Sequence, residues 1–242
     1  KRAKIIIDWI NSYCDNTSFN PKSLVVGISG GIDSSVVSTL CALTKRKTIV
    51  LSMPIKQIKS QHDLSIEHGK WISNKYKNVQ HKVLELENLF SNFEKTLNEF
   101  NNEHGFANSR ARLRMTTLYQ AAAANSGIVV GTGNKVEDFG VGFYTKYGDG
   151  GVDISPIADC NKTEVWELGK YLGINQKIIE AEPTDGLWND GRSDTAQLGM
   201  SYVDLEKAME NKNDPNYQKY LKIRKKNLHK MEPIPVCKFN DS

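Results

Sequence analysis

The sequence predicts an α/β protein with a doubly wound parallel sheet of about five strands flanked by helices. Two observations predict this fold. Short apolar runs, such as the one at residues 24–28, alternate with longer segments whose apolar residues recur at helical spacing. The run at residues 24–28 also lacks regularly spaced polar residues, which is typical of a parallel strand buried on both faces. Strands that alternate with helices join into one sheet through right-handed crossovers.

The first half of the chain contains three predicted strands. A helix begins the chain, because its isoleucines and Tyr13 lie on one helical face. Pro54 ends the second strand, since it cannot donate to a ladder. Strands are predicted at residues 24–28, 48–53 and 80–86, and helices at residues 1–13, 36–41 and 60–76.

The second half continues this alternation and then becomes mostly helical. Helices are predicted at residues 87–101 and 109–125, and strands at residues 127–131 and 152–155. No repeat, low-complexity stretch or linker interrupts the sequence, so we expect one domain over residues 1–242 with a helical C-terminal part. A strand order of 3-2-1-4-5 would put the ends of the first and fourth strands at the crevice where such sheets bind ligands.

Composition and charge exclude several classes of protein. The chain has 242 residues, of which 39% are hydrophobic and 25% charged, as in ordinary globular proteins. Its apolar runs fall far short of the ~20 residues that cross a bilayer, and its N-terminus does not resemble a signal peptide. A formal net charge of +4 is too small to indicate a nucleic-acid partner. The four cysteines form no CxxC pair, which favours free thiols in the cytoplasm.

A glycine-rich loop, Ser-Gly-Gly-Ile-Asp-Ser-Ser at residues 29–35, directly follows the first predicted strand. Glycines let backbone amides approach an anion closely, and the start of the next helix adds partial positive charge. The loop is therefore a candidate phosphate site, although a tight strand–helix turn capped by serines would look similar. It contains neither the GK[ST] string of a Walker loop nor the GxGxxG string of a dinucleotide site.

Asp33 in this loop changes the kind of ligand that the loop would bind. A carboxylate at an anion site repels phosphate unless a cation lies between them. Mg²⁺ is the economical explanation, because it takes carboxylate and phosphate oxygens together. The sequence therefore predicts that Asp33 helps to bind a magnesium–pyrophosphate unit.

The loop resembles the SGGxDS loop of the ATP pyrophosphatases, which split ATP between its α- and β-phosphates. Residues 108–115, 131–165, 182–188 and 229–230 resemble one family of that group, the ammonia-dependent NAD synthetases, and TKYGDGG at residues 145–151 is the most specific match. The resemblance implies a Rossmann-like, adenine nucleotide alpha-hydrolase-like fold and a homodimer. It also implies a C–N ligase, for which ATP, deamido-NAD and ammonia give AMP, diphosphate and NAD⁺ in the final step of NAD biosynthesis.

The resemblance also implies roles for individual residues. ATP would be bound by the loop and by three later residues, namely Gly27, Ile28, Ser29, Gly30, Gly31, Ile32, Asp33, Ser34, Thr132, Lys162 and Thr184. Deamido-NAD would be bound by Arg112, Lys146, Asp153, His229 and Lys230. Mg²⁺ would be held by Asp33 and Glu137. The catalytic residues would be Asp33, Lys162, Ser29 and Asp149. Asp149, helped by Ser29, is our own candidate for acting on ammonia, because ammonium must lose a proton before it can attack.

Several of these residues, and the function itself, have other interpretations. Without the resemblance, Lys162 would be a surface lysine at a helix start, Glu137 an ordinary loop residue, and residues 222–230 a solvated basic face. A GMP-synthetase-type amidation domain and a tRNA-modifying enzyme would share the loop, and a nucleotide-binding regulatory protein without turnover is a third alternative. Ammonia from glutamine would need a cysteine nucleophile, and none of the four cysteines has a recognisable nucleophile context.

Overall fold

Four parallel strands form the central sheet of this computed structural model, which describes residues 1–184 and 193–239. They are β1 (Ser23–Ile28), β2 (Lys47–Ser52), β3 (Val79–Val83) and β4 (Gly127–Val129), in the spatial order β3-β2-β1-β4. The register pairs Val25 of β1 with Ile49 of β2 on one side and with Val129 of β4 on the other. This confirms the predicted α/β class and the order of the first four strands.

Helices surround this sheet, and most of the C-terminal part is helical, as predicted. In the described ranges they are α1 (Arg2–Asn16), α2 (Ile32–Leu43), α3 (Lys59–Lys75), α4 (Glu87–Thr96), α5 (Glu103–Ala124), α6 (Lys162–Leu172), α7 (Gln176–Glu180), α8 (Asp194–Leu198), α9 (Tyr202–Glu210) and α10 (Tyr217–Met231). A 3-10 turn (Asn98–Phe100) and a π-helix (Lys135–Val141) complete them. Not one helix in these ranges has both the length and the apolar character needed to span a bilayer.

The predicted fifth strand, residues 152–155, is reduced to one parallel bridge between Val130 and Ile154. The Asp153 carboxylate explains the reduction. Its Oδ2 accepts a hydrogen bond of 2.7 Å from the backbone N–H of Val129, a donor that a longer ladder would use. Pro156 follows and has no N–H with which to extend the pairing.

Strands β1, β2 and β4 are largely buried on both faces, as their apolar runs predict, whereas the edge strand β3 is mostly exposed. On one face, Leu24 and Val26 of β1 pack in a cluster with side chains of α1, α2 and α6. On the other face, Val25 packs with Ile49 and Leu51 of β2 and with side chains of α4 and α5. Alternate side chains of β1 thus enter two different clusters, which holds the sheet between two helical layers.

The order of connections produces a crevice between β1 and β4. From β1 the chain passes through α2 to β2 and through α3 to β3, and it then returns through α4 and α5 to β4 on the other side of β1. Open parallel sheets bind ligands at the carboxyl ends of the strands where the winding reverses in this way. The segments after β1 and β4 therefore meet at the expected ligand site.

Buried His68 makes the packing of α3 against α2 sensitive to acid. The residue is 2% exposed, and its Nε2 lies 2.9 Å from the Oγ of Ser38 in α2. Burial, and to a smaller extent the charge of His81, lowers the pKa of His68 to about 4. The unfolded chain takes up the proton at about pH 6.5, whereas the folded chain resists it. Stability is therefore complete above that pH and falls as the pH drops through this window.

We expect the wild-type protein to lose up to about 3 kcal/mol more of its free energy of unfolding, between about pH 7 and about pH 4, than a His68→Gln variant loses. Glutamine retains a group that can hydrogen-bond to Ser38 but gains no charge in acid. Urea unfolding of both proteins across this range measures the difference. Parallel pH profiles would contradict the assignment of this acid sensitivity to His68.

Candidate active site

The segments after β1 and β4 open onto a cavity of about 760 Å³. This volume lies in the range of small-molecule binding sites. The glycine-rich loop, the segment after β4, α5, residues 143–149 and the end of α10 all contribute to its walls. Every residue predicted to bind a ligand or to act in catalysis lines the cavity, with the exception of Asp153.

The glycine-rich loop keeps its shape through its own serine hydroxyls. Ser29 Oγ accepts a hydrogen bond from the Gly31 N–H (3.2 Å), and the Ser34 and Ser35 hydroxyls donate to the Gly31 carbonyl (3.1 and 2.9 Å). Gly30 adopts a φ of +93°, which favours glycine. Because α2 begins directly after Gly31, its first N–H groups have no intrahelical partner and are available to an anion.

Lys162 lies between the two predicted magnesium ligands. Its Nζ is 2.5 Å from Asp33 Oδ2 and 2.9 Å from Glu137 Oε1, and its side chain is only 3% exposed. Asn134 Nδ2 donates to the other carboxylate oxygen of Asp33 (3.0 Å). The interpretation of Lys162 as a surface lysine is therefore wrong. The starts of α2, α6 and the π-helix bring one cation and two anions together.

Two helix caps fix the directions from which Glu137 and Lys162 approach. Asn134 Oδ1 accepts hydrogen bonds from the backbone N–H groups of Val136 and Glu137, both at 3.0 Å, and so begins the π-helix. Asn161 and Glu164 form a capping box that begins α6, so that Lys162 is its first residue. Local sequence thus positions both side chains before they meet.

Burial and charge shift the pKa values of this cluster in different directions. Burial raises the pKa of Asp33, and the positive charge of Lys162 offsets this only in part. Burial acts in the same way on Glu137, but Lys162 and a hydrogen bond from Tyr202 bring its pKa below the usual value. Burial would lower the pKa of Lys162, and the two carboxylates more than reverse this, so it is raised. The lysine is therefore cationic and Glu137 is ionised at neutral pH.

Tyr202 of α9 belongs to the same cluster, although no motif in the sequence signals it. Its hydroxyl donates to Glu137 Oε1 (2.5 Å) and lies 2.9 Å from Asp194 Oδ2. The Nζ of Lys162 lies 4.9 Å from the centre of the tyrosine ring. The aromatic ring therefore contacts the cation while the hydroxyl contacts one of its anions.

Asp138, which lines the cavity, is another residue that the sequence analysis missed. A Cβ on Gly133 would overlap its carboxylate, so the close packing of these two residues depends on glycine. Burial, together with the negative charges of Asp149, Glu137 and Asp33, raises the pKa of Asp138 well above its usual value. Its place within the matched segment 131–165, next to Glu137, was the only available signal.

Four of the residues predicted to bind deamido-NAD meet on another wall of the cavity. Arg112 Nε donates to the Lys146 carbonyl (3.2 Å), and Lys146 Nζ donates to the His229 carbonyl (3.1 Å). Tyr144 and Lys230 exchange two hydrogen bonds, from the Tyr144 hydroxyl to the Lys230 carbonyl (2.7 Å) and from Lys230 Nζ to the Tyr144 carbonyl (2.8 Å). The end of α10 is thus fastened to residues 144–146, and three cationic groups collect where an anionic ligand could bind.

Asp153 does not join this wall. Its carboxylate oxygens accept hydrogen bonds from the Val129 N–H (2.7 Å) and from the Tyr119 hydroxyl (3.1 Å), at the end of β4. Thr184 does line the cavity, and Gln61 Nε2 of α3 donates to its Oγ1. The rest of its matched segment, residues 185–188, lies outside the described residues.

Fold and site together define a class of enzyme. A doubly wound sheet carries a glycine loop to its point of reversal, and that loop holds an acid that pairs with a buried lysine. The loop has the SGGxDS sequence of the ATP pyrophosphatases. The chain belongs to the NAD synthase family of that class, whose model matches residues 3–237.

Proteins similar to this chain have two different names. The NH(3)-dependent NAD(+) synthetase of Archaeoglobus fulgidus is 34% identical over 249 residues, which cover 100% of this chain and 98% of the relative. Among solved structures, the NMN synthetase from Francisella tularensis has a TM-score of 0.89 at 27% identity, with 98% of each chain covered. The NH3-dependent NAD synthetase from Campylobacter jejuni has a TM-score of 0.78 at 25% identity, again with 98% of each chain covered.

Proposed function

We propose that the protein is an AMP-forming ligase that uses ATP to join ammonia to the nicotinate carboxylate of deamido-NAD, the final step of NAD⁺ biosynthesis. The proposal rests on one observation: the glycine loop, the cluster of Asp33, Glu137 and Lys162, and the wall of Arg112, Lys146 and Lys230 all line the same cavity. Membership of the NAD synthase family supports it, as do the names of the relatives from Archaeoglobus fulgidus and Campylobacter jejuni.

In the first step, a carboxylate oxygen of the nicotinate attacks the α-phosphorus of ATP, the bond to the bridging oxygen of the β-phosphate breaks, and diphosphate leaves. The protein needs no nucleophile of its own, because positioning and charge stabilisation suffice. We assign the phosphates to residues 27–34 and the start of α2, with Thr132 and Thr184. Lys162, held cationic by its neighbours, is assigned to the charge that develops on diphosphate.

In the second step, the nitrogen of ammonia attacks the carbonyl carbon of the acyl adenylate, AMP leaves, and the nitrogen loses a proton. We assign ammonia to Asp149 and Ser29, which line the same cavity. Asp149 is held in place by a hydrogen bond of 3.0 Å from the Thr145 N–H. Arg112, Lys146, His229 and Lys230 are assigned to the acceptor nucleotide, while the role of Asp153 remains a prediction from the resemblance.

The residues at the loop fit a magnesium ion. Asp33 and Glu137 both contact the ammonium group of Lys162, so their oxygens face a common cation, and carboxylate oxygens are suitable ligands for Mg²⁺. Within residues 1–184 and 193–239 no group of three or more His, Cys, Asp or Glu residues could hold a metal. Asp33 and Glu137 would therefore share Mg²⁺ with phosphate oxygens of ATP. When bound, Mg²⁺ would neutralise charge on those phosphates.

A second candidate function differs only in the acceptor. The structural likeness to the NMN synthetase from Francisella tularensis, with a TM-score of 0.89, exceeds the likeness to the Campylobacter jejuni NAD synthetase, at 0.78. An NMN-forming ligase would amidate nicotinate mononucleotide, which carries the same reactive carboxylate but lacks the adenylate half of deamido-NAD. The same two steps and the same assignments at the loop apply to both acceptors.

We further infer that the protein is a single-domain cytoplasmic homodimer. Cys14, Cys41, Cys160 and Cys237 are all free, which suits a reducing compartment. The one sheet with helices on both faces supports a single domain. The homodimer rests on the family resemblance alone.

Diphosphate release from ATP tests this function and chooses between the acceptors. The protein is incubated with ATP, MgCl₂ and ammonium chloride, and with deamido-NAD, nicotinate mononucleotide, XMP or tRNA in separate reactions. We expect equal amounts of diphosphate, AMP and NAD⁺ with deamido-NAD, and no reaction in EDTA. A larger kcat/KM for nicotinate mononucleotide would establish the second candidate instead. Release only with XMP or tRNA would reject both.

A further inference from the structure

A chain of hydrogen bonds runs from β3 to the glycine-rich loop, and it is buried from Ser52 onward. His81 Nε2 lies 2.8 Å from Ser52 Oγ at the end of β2, and Ser52 Oγ lies 2.7 Å from Ser65 Oγ in α3. Ser65 Oγ in turn donates to the carbonyl of Ile28 over 2.9 Å. Ser52 is 0% and Ser65 1% exposed, so solvent does not compete for the Ser52–Ser65 and Ser65–Ile28 contacts.

The direction of every hydrogen bond in this chain follows from its last acceptor. The Ile28 carbonyl can only accept, so Ser65 must use its single hydroxyl hydrogen there. Ser65 therefore accepts from the Ser52 hydroxyl, and Ser52 accepts from His81, which must carry a hydrogen on Nε2. Such a chain has one consistent arrangement, and each bond polarises the next.

This chain ends on the first peptide group of the glycine-rich loop. In a trans peptide the carbonyl of Ile28 and the N–H of Ser29 point in opposite directions. When Ser65 holds the carbonyl on the α3 side, the Ser29 N–H is turned the other way, where it donates to Ser34 Oγ (3.2 Å). One hydroxyl in α3 thus sets the orientation of the peptide with which the loop begins.

The rest of α3 and the segment before it support the loop from the same side. Gln57 Nε2 donates to the Ser29 carbonyl (3.0 Å), which holds the second peptide. A Cβ on Gly30 would meet the backbone of Gln61 and would come within 3.0 Å of the backbone nitrogen of Ser65. The loop therefore rests directly on the backbone of α3, with Ser65 as its buried hydrogen-bond donor.

We propose that Ser65 is a positioning residue, which fixes the first loop peptide in the orientation that binds the phosphates of ATP. This rests on the proposed function only in that the loop binds ATP. The acceptor nucleotide and the ammonia play no part in it. Ser65 lies behind the loop rather than on the cavity, so its effect passes through the Ile28–Ser29 peptide.

Calorimetric titration with ATP and MgCl₂ tests this proposal in four proteins: wild type, Ser65→Ala, Ser52→Ala and Ser73→Ala. Ser73 is the matched control, because it lies in the same helix and its hydroxyl donates only to carbonyls of α3, at Gly69 (2.8 Å) and Lys70 (3.2 Å). We expect Ser65→Ala to raise the Kd for ATP about tenfold. Ser52→Ala, which leaves the final bond in place, should raise it less than threefold, and Ser73→Ala should leave it unchanged.

Kinetics separate positioning from a loss of folded protein. With the preferred acceptor, Ser65→Ala should raise the KM for ATP about tenfold and change kcat less than threefold, whereas partial unfolding would lower kcat. Ser65→Cys keeps a side chain of similar size with a weaker hydrogen-bond donor, so its KM for ATP should lie between those of wild type and Ser65→Ala. It replaces the alanine variant if that variant does not fold. The proposal for Ser65 would be overturned, with the proposed function left standing, if the Kd for ATP of Ser65→Ala lay within twofold of wild type. The same holds if Ser73→Ala raised the Kd as much as Ser65→Ala does. Wild-type protein that does not bind ATP would overturn the proposed function as well.

Discussion

Replacing Lys162 with methionine is expected to slow diphosphate release at least ~10²-fold and to lower the free energy of unfolding by about 2–4 kcal/mol. The change removes the ammonium group from its place 2.5 Å from Asp33 and 2.9 Å from Glu137 and leaves two carboxylates facing each other. Those carboxylates keep 17% and 15% of their side-chain surface exposed, so the cost is below that of a fully buried pair. Urea unfolding and the diphosphate assay measure the two effects.

Lys135→Met is the matched control for this variant. The Nζ of Lys135 lies 3.1 Å from Asp159, but the two side chains are 42% and 97% exposed. An exposed pair of this kind contributes about 0–1 kcal/mol, so the control should retain both stability and activity. The deficit of Lys162→Met should also shrink in acid, because the unpaired carboxylates can take up protons. If the two variants lose the same amount of stability, the buried cluster is not what stabilises this region.

Magnesium chloride without ATP gives this experiment a second readout. In the wild-type protein Lys162 already supplies positive charge to both carboxylates, whereas in Lys162→Met the same oxygens are available to another cation. We therefore expect MgCl₂ to raise the melting temperature of the variant more than that of wild type, at matched ionic strength. If MgCl₂ raises the melting temperature of Lys162→Met no more than that of wild type, the two carboxylates do not take up Mg²⁺ in place of the lysine.

The sheet and the loop could be predicted because both are encoded by neighbouring residues. The apolar run at 24–28 became β1 (Ser23–Ile28), and the loop and α2 followed it directly, since the glycines and the next helical pattern adjoin it. The prediction of a full fifth strand was wrong because of a side-chain contact that hydrophobic periodicity does not reveal. The side chain of Asp153 takes the Val129 N–H that the ladder needed, and this contact spans 24 positions of the sequence.

The sequence predicted which residues belong to the site better than it predicted which of their side chains contact one another. The sequence indicated Asp33, Glu137 and Lys162 as site residues, but it did not indicate that the lysine pairs with both acids. The Lys162–Asp33 contact joins residues 129 positions apart, and the Tyr202–Glu137 contact joins residues 65 positions apart. Such contacts depend on how α6 and α9 pack against the sheet, and no local pattern records that packing. The loop motif therefore identified Asp33, and the family resemblance identified Glu137 and Lys162, but neither indicated how the three side chains pair.

Gly30→Ala is expected to abolish ATP binding by the loop, with diphosphate release reduced at least ~10²-fold. The φ of +93° at Gly30 is unfavourable for alanine, and the added Cβ would overlap the Gln61 carbonyl oxygen, which is backbone of α3 and cannot turn aside. The loop or α3 must therefore move, and either movement disturbs the contact between Ser65 and Ile28. Titration with ATP and MgCl₂ measures the loss of binding.

Gly173→Ala separates the cost of the backbone angle from the cost of the clash with α3. Gly173 has a similar φ of +76° at the end of α6, but nothing lies within 4 Å of the position that its Cβ would take. Alanine at this position is unfavourable only because of the positive φ, which costs about 1–2 kcal/mol of stability. ATP binding should therefore be unchanged. If Gly30→Ala binds ATP as well as Gly173→Ala does, close contact between the loop and α3 is not required. A loss confined to Gly30→Ala would show that the loop needs glycine for its contact with α3 as well as for its backbone angle.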